Sequence, residues 1–158
     1  MQIGLNKVML GLVATALFSS VCNAAWMEIP GFKAYAAKQK TYVWCWAASL
    51  QMALSSQGAN VSQEEIVQQV MGAITVSAAS TEQITQFLLS GWRFSSTAGT
   101  YTLDTLTFPS APPGPMVQRY MEIGRPVIIG YRSGPQSQHA VVVFGGDFQM
   151  SPNRLLKS

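Results

Sequence analysis

The sequence predicts an α+β domain, with helices in the first half of the chain and strands in the second. Three observations predict it. Residues 45–55 (CWAASLQMALS) are apolar with no Gly or Pro before Gly58. Ser62-Gln63-Glu64-Glu65 and Ser80-Thr81-Glu82-Gln83 carry the Ser-x-x-Glu/Gln signature of a capped helix start. Pro126–Tyr131 (PVIIGY) and Ala140–Phe144 (AVVVF) are β-rich runs on either side of a loop rich in Gly, Pro and Ser. Helices first and strands second points to α+β, because a parallel α/β sheet would alternate them. At 158 residues and 48% hydrophobic, the chain can bury one core; at 11% charged, it is no disordered tail.

Residues 1–24 read as a secretory signal peptide, and 25–158 as one domain with neither linker nor internal repeat. Lys7 is the positive n-region, Val8–Phe18 the apolar h-region, and Val21-Cys22-Asn23-Ala24 a small-x-small cleavage site before Ala25. The h-region falls well short of the roughly 20 apolar residues that a membrane-crossing helix needs. The protein is therefore expected to be secreted or periplasmic, off the membrane once the leader is removed.

The elements follow in order. Residues 26–43, with Pro30, Gly31, Lys33, Lys38 and Lys40, form an extended entry. Residues 45–55 form a buried helix of about three turns opening at Cys45. A second helix starts at Ser62, shows one face of Ile66, Val67 and Val70, and stops at Gly72; a third starts at Ser80, with Ile84, Phe87 and Leu88 on one side, and ends at Gly91. Residues 92–112 read as a loop with one short strand. A break at Ala111–Pro115 precedes a short helix over Met116–Ile123. Ser133–Ser137 is the turn of the final hairpin. Two strands make a marginal sheet. Residues from Asn153 onward read as the start of another strand, so the C-terminal part of the sheet is expected to be truncated.

Composition excludes several functions. The ten Lys and Arg are scattered, without the cationic clustering that phosphate binding requires, so no nucleic-acid partner is expected. Two cysteines and one histidine are too few for a zinc site, there is no H-E-x-x-H, and Gly145-Gly146 is no phosphate loop; no cofactor or metal is expected. Trp92, Phe94, Tyr101 and Tyr131 line a cleft or pack the core, and packing is the default.

What remains is Cys45, the one thiol left after export. It is either a small buried hydrophobe or a nucleophile. A helix N-terminus favours the second, because its partial positive charge and unpaired N–H groups stabilise a thiolate. Thiol chemistry also needs a base, and the single histidine, His139, stands at the mouth of the strongest strand run. Gln39, six residues before Cys45, is an amide donor of the kind that holds an oxyanion together with a backbone N–H.

Gln39, then Trp44-Cys45-Trp46-Ala47-Ala48-Ser49 opening an apolar helix, then His139 leading into AVVVF, resembles the papain-like cysteine peptidases, closest to their compact bacterial branch with its W-C-W-A-A-S string. The resemblance implies a helical half carrying the Cys packed on an antiparallel β half carrying the His, with protein or peptide substrate between them. It implies Cys45 as nucleophile, His139 as general base and Gln39 as oxyanion-hole donor. The chain departs from the plant-type pattern in three ways. Val43-Trp44 replaces Gly-Ser before the Cys, and His139 follows by 94 residues instead of about 130–150. The window 154–158, where an Asn or Asp would orient the His, holds neither; Asn153 is the remaining candidate, and Asp147 reads as a turn residue. Two other functions fit the residues: an inactive papain-like module that binds protein, separable by an unreactive Cys45, and a related Cys-His acyltransferase or amidase, separable by product analysis with added amine.

Overall fold

The chain, as a computed structural model, describes residues 24–96, 99–134 and 137–149. In order these form β1 (Ala24–Glu28), a 3-10 turn (Phe32–Tyr35), α1 (Cys45–Ser56), α2 (Gln63–Met71), α3 (Thr81–Leu89), β2 (Arg93–Ser96), β3 (Gly99–Thr102), α4 (Gly114–Glu122), β4 (Val127–Gly134), β5 (Ser137–Val143) and β6 (Gly145–Gln149). The α+β class is the one expected, but the order is not simply helices then strands: the chain opens on β1, and β2 and β3 precede α4. The leader residues 1–23, the cleavage site's Cys22 and the expected strand beyond Asn153 lie outside the described residues.

α1 is apolar on nearly every side, and a helix of that kind must be buried all round. It carries Trp46, Ala47, Ala48, Ser49, Leu50 and Leu54 into the interior. α2 closes over it through Ile66 and Val67, neither exposed at all, and Phe87 of α3 completes the main cluster with Trp44 and Val61. Both expected capping boxes are present. Ser62 Oγ accepts from the Glu65 N–H at 3.2 Å while Glu65 Oε2 accepts from the Ser62 N–H at 2.8 Å; Ser80 and Gln83 do the same. α2 ends on Gly72 at φ 77°, a left-handed conformation that glycine adopts without a Cβ penalty. α3 stops two residues before Gly91, with Ser90 as its C-cap.

Loss of the first cap has a measurable cost. Ser62→Ala is expected to lower stability by about 1 kcal/mol in urea unfolding at pH 7, because the Glu65 amide loses its acceptor. Backbone and side-chain hydrogen bonds from Ser62 hold the Glu65 carboxyl below the ordinary range. That contribution is complete above the unfolded-state pKa of about 4.3 and disappears as the pH falls through the lower folded value.

The strands form three antiparallel ribbons, β1–β6, β2–β3 and β4–β5. A two-stranded ribbon is marginal alone. Here α1 backs β5 and β4, and α4 packs on β1, β4 and β6. A second cluster forms there from Ile29, Phe32 and Met121, with Phe32 stacked on Phe144 at 4.9 Å. The Ile29 N–H also donates to the Phe144 carbonyl at 2.7 Å, fastening the chain's entry to the β half. β1 and β6 come so close that a Cβ on Gly145 would lie 2.9 Å from Glu28 Cβ, so only glycine fits without movement.

Several expectations are corrected. Residues 92–112 contain two strands, β2 and β3, because Arg93–Ser96 finds an antiparallel partner in Gly99–Thr102. The 26–43 entry is not uniformly extended: it begins as a strand and then winds into the 3-10 turn. β4 and β5 extend into the expected Ser133–Ser137 loop, where backbone pairing satisfies more groups than an open loop would. Asp147 is no turn residue; it lies in β6, exposed and opposite Trp26.

Candidate active site

Cys45 is the first residue of α1 and is half-buried, with a free thiol. The N-cap is Trp44, which makes no side-chain capping bond, and the first turn holds no acidic residue. The amide of Cys45 thus opens a helix end that no side chain caps and no carboxylate neutralises. The chain reaches this point through a turn in which the Trp44 N–H donates to the Thr41 carbonyl at 3.2 Å. Trp44 itself is buried, and its indole N–H donates to the Thr75 carbonyl at 2.9 Å. That bond holds the Gly72–Ser80 connection beside the start of α1, where Ile74 and Val76 are exposed by 61% and 56%.

His139 lies in β5, the strand packed on α1. Ser49, 1% exposed, donates from Oγ to the Ala140 carbonyl at 3.1 Å. Ser49 is one helical turn after Cys45, roughly 6 Å along the axis, and Ala140 adjoins His139. The bond therefore sets the first turn of α1 beside the backbone of β5 next to His139. Strand alternation turns Ala140 and Val142 toward the two clusters and leaves His139 and Val141 exposed. His139 pairs across the ribbon with Tyr131, their rings 5.9 Å apart and tilted by 39°. Tyr131 is thus a neighbour of the imidazole. Trp92 and Tyr101 instead pack against the main cluster.

Gln39 is exposed, in the irregular stretch between the 3-10 turn and α1. Its two neighbours are fastened by one buried side chain, Gln63 of α2. Gln63 Oε1 accepts from the Lys40 N–H at 2.9 Å, and its Nε2 donates to the Lys38 carbonyl at 2.9 Å and to Gln51 Oε1 of α1 at 2.9 Å. Lys40 Nζ also donates to both Glu64 carboxylate oxygens, at 2.8 and 2.7 Å. The hydrogen bond from Lys40 holds the Glu64 carboxyl below its ordinary range. Asn153, the candidate orienter of the histidine, lies outside the described residues. Among the described residues no three His, Cys, Asp or Glu side chains gather where they would hold a metal ion.

Sequence reasoning missed Gln63 as part of this site. It stood out only as one letter of a capping box, and nothing in a helix-start pattern says that a polar N1 residue is swallowed by the core. Ser49 belonged to a quoted string, but its bond to a residue 91 positions away has no local signal.

A model of the Peptidase_C39 like family, in the papain-like cysteine peptidase clan, matches residues 29–153. No curated protein and no solved structure matches the chain.

Proposed function

The chain belongs to the Peptidase_C39 like family, and on that footing we propose that it is a cysteine peptidase that cleaves protein or peptide chains through an acyl-enzyme on Cys45. The observation that carries the reading is the Ser49–Ala140 bond, which ties the helix that begins with the thiol to the strand that bears the single histidine. In the reaction His139 takes the proton from Sγ, and the thiolate adds to the scissile carbonyl. The Cys45 amide and the Gln39 side chain receive the oxyanion. As the tetrahedral adduct collapses, His139 returns its proton to the leaving amine. Water then attacks the thioester, His139 accepts its proton, and the acid product and free thiol are released. We propose as well that residues 1–24 direct export and are removed before Ala25, so that the enzyme works outside the cytoplasm.

The test is to incubate the purified protein with denatured casein and identify new termini by mass spectrometry, before and after alkylation of Cys45 with iodoacetamide. New termini that vanish on stoichiometric alkylation are expected. Absence of new termini, or cleavage that survives alkylation, refutes the reading. A product joined to an added amine in place of hydrolysis would mark an acyltransferase.

A further inference from the structure

We propose that Gln63 is a positioning residue for this site: it holds the backbone on both sides of Gln39 and ties it to the helix that carries Cys45. The inference rests on Gln39 acting as the oxyanion donor. Gln39 is exposed and has no helix or strand to fix it, yet an oxyanion donor works only when held in place before the charge develops. The three bonds of Gln63 supply that fixity. Gln63 is 1% exposed, and its carboxamide makes an acceptor bond to residue 40, a donor bond to residue 38 and a donor bond to Gln51. The first two bracket Gln39. The third runs into α1, whose first residue is Cys45, so donor and nucleophile share one rigid reference.

A buried glutamine is an expensive choice for mere packing. Unmet, each of its polar groups would carry a desolvation penalty, and methionine would fill the same space without one. What methionine lacks is the ability to grip a peptide by its N–H and its neighbour's carbonyl at once. The Lys40–Glu64 pair adds a second, exposed fastening from the next residue of α2.

Two measurements test this. In the wild-type protein, amide hydrogen exchange at Lys40 should be slow, like that of α2, while the amides of 37–39 exchange quickly. Fast exchange at Lys40 would overturn the clamp, and this needs no variant that might fail to fold. In kinetics, Gln63→Met is expected to lower kcat on a peptide substrate by about 10–100-fold with KM changed less than about threefold, the size of effect that a donor displaced by roughly 1 Å produces. The rate of Cys45 alkylation by iodoacetamide should stay at the wild-type value, since that displacement develops no carbonyl oxyanion; general unfolding would change it. In the Gln39→Ala background, Gln63→Met should cost little more. Full additivity of the two substitutions, or a lost alkylation rate, overturns the positioning role and leaves the peptidase reading intact. No hydrolysis by the wild-type protein overturns both.

Discussion

Cys45→Ala is expected to lower kcat/KM for peptide hydrolysis by about 10⁴-fold or more, and the double variant Cys45→Ala/His139→Ala should be no worse than either single one. Without Sγ there is no acyl-enzyme; without the imidazole the thiol is not activated and the leaving amine is not protonated. Each residue needs the other, so losing the second removes nothing further. A loss of 10⁴ corresponds to about 5.5 kcal/mol of transition-state stabilisation. Stability should barely move. Cys45 is half-buried and becomes a slightly smaller side chain, and His139 is exposed. Steady-state kinetics with a fluorogenic peptide, paired with thermal melts, separate the two effects. If the two losses multiply in the double variant, the residues do not act as one catalytic unit and the proposed mechanism fails.

The elements that were legible in the sequence are those whose signals are local. A capping box satisfies its own amides within four residues, and the helix starts at Ser62 and Ser80 fall where it put them. The apolar run from Cys45 needed only an absence of Gly and Pro to read as a buried helix, and α1 matches it to within one residue. Residues 92–112 read as a loop with one short strand because the paired residues of β2 and β3 are Arg, Ser, Gly and Thr apart from Phe94 and Tyr101, too little apolar alternation to signal a hairpin. In sequence, Asp147 reads as a turn residue because two glycines precede it. Gly145 instead allows β1 to approach, a partner 117 residues distant at Glu28–Gly145 that no window on the sequence contains.

The candidate site divides along the same line. Cys45, His139 and Gln39 announce themselves by chemistry and spacing. The parts that would hold them in place, Ser49 on Ala140, Trp44 on Thr75 and Gln63 on the backbone flanking Gln39, are ordinary residues whose role exists only in three dimensions. All three donate or accept from the buried helical half, so the geometry of the site depends on the seating of α1 and α2.

That dependence gives Ile66→Ala a large expected effect on stability. Ile66 is the largest fully buried side chain among the described residues, and it lies in the cluster that α2 shares with α1. Removing its branched end leaves a cavity that close-packed neighbours cannot fully close, at a cost of about 2–5 kcal/mol. Small domains hold only about 5–15 kcal/mol in total, so a large fraction of the folded state's margin is lost. Leu89→Ala, at a residue of α3 that is 61% exposed, should stay within about 0.5 kcal/mol. Urea unfolding of both variants measures the contrast. The site should respond as well: Ile66 is three residues after Gln63 on α2, so a tilted helix moves the carboxamide that brackets Gln39, and hydrolysis should weaken under conditions where the variant remains folded. Equal unfolding midpoints for the two variants would mean that α2 is not the wedge on which α1 is seated.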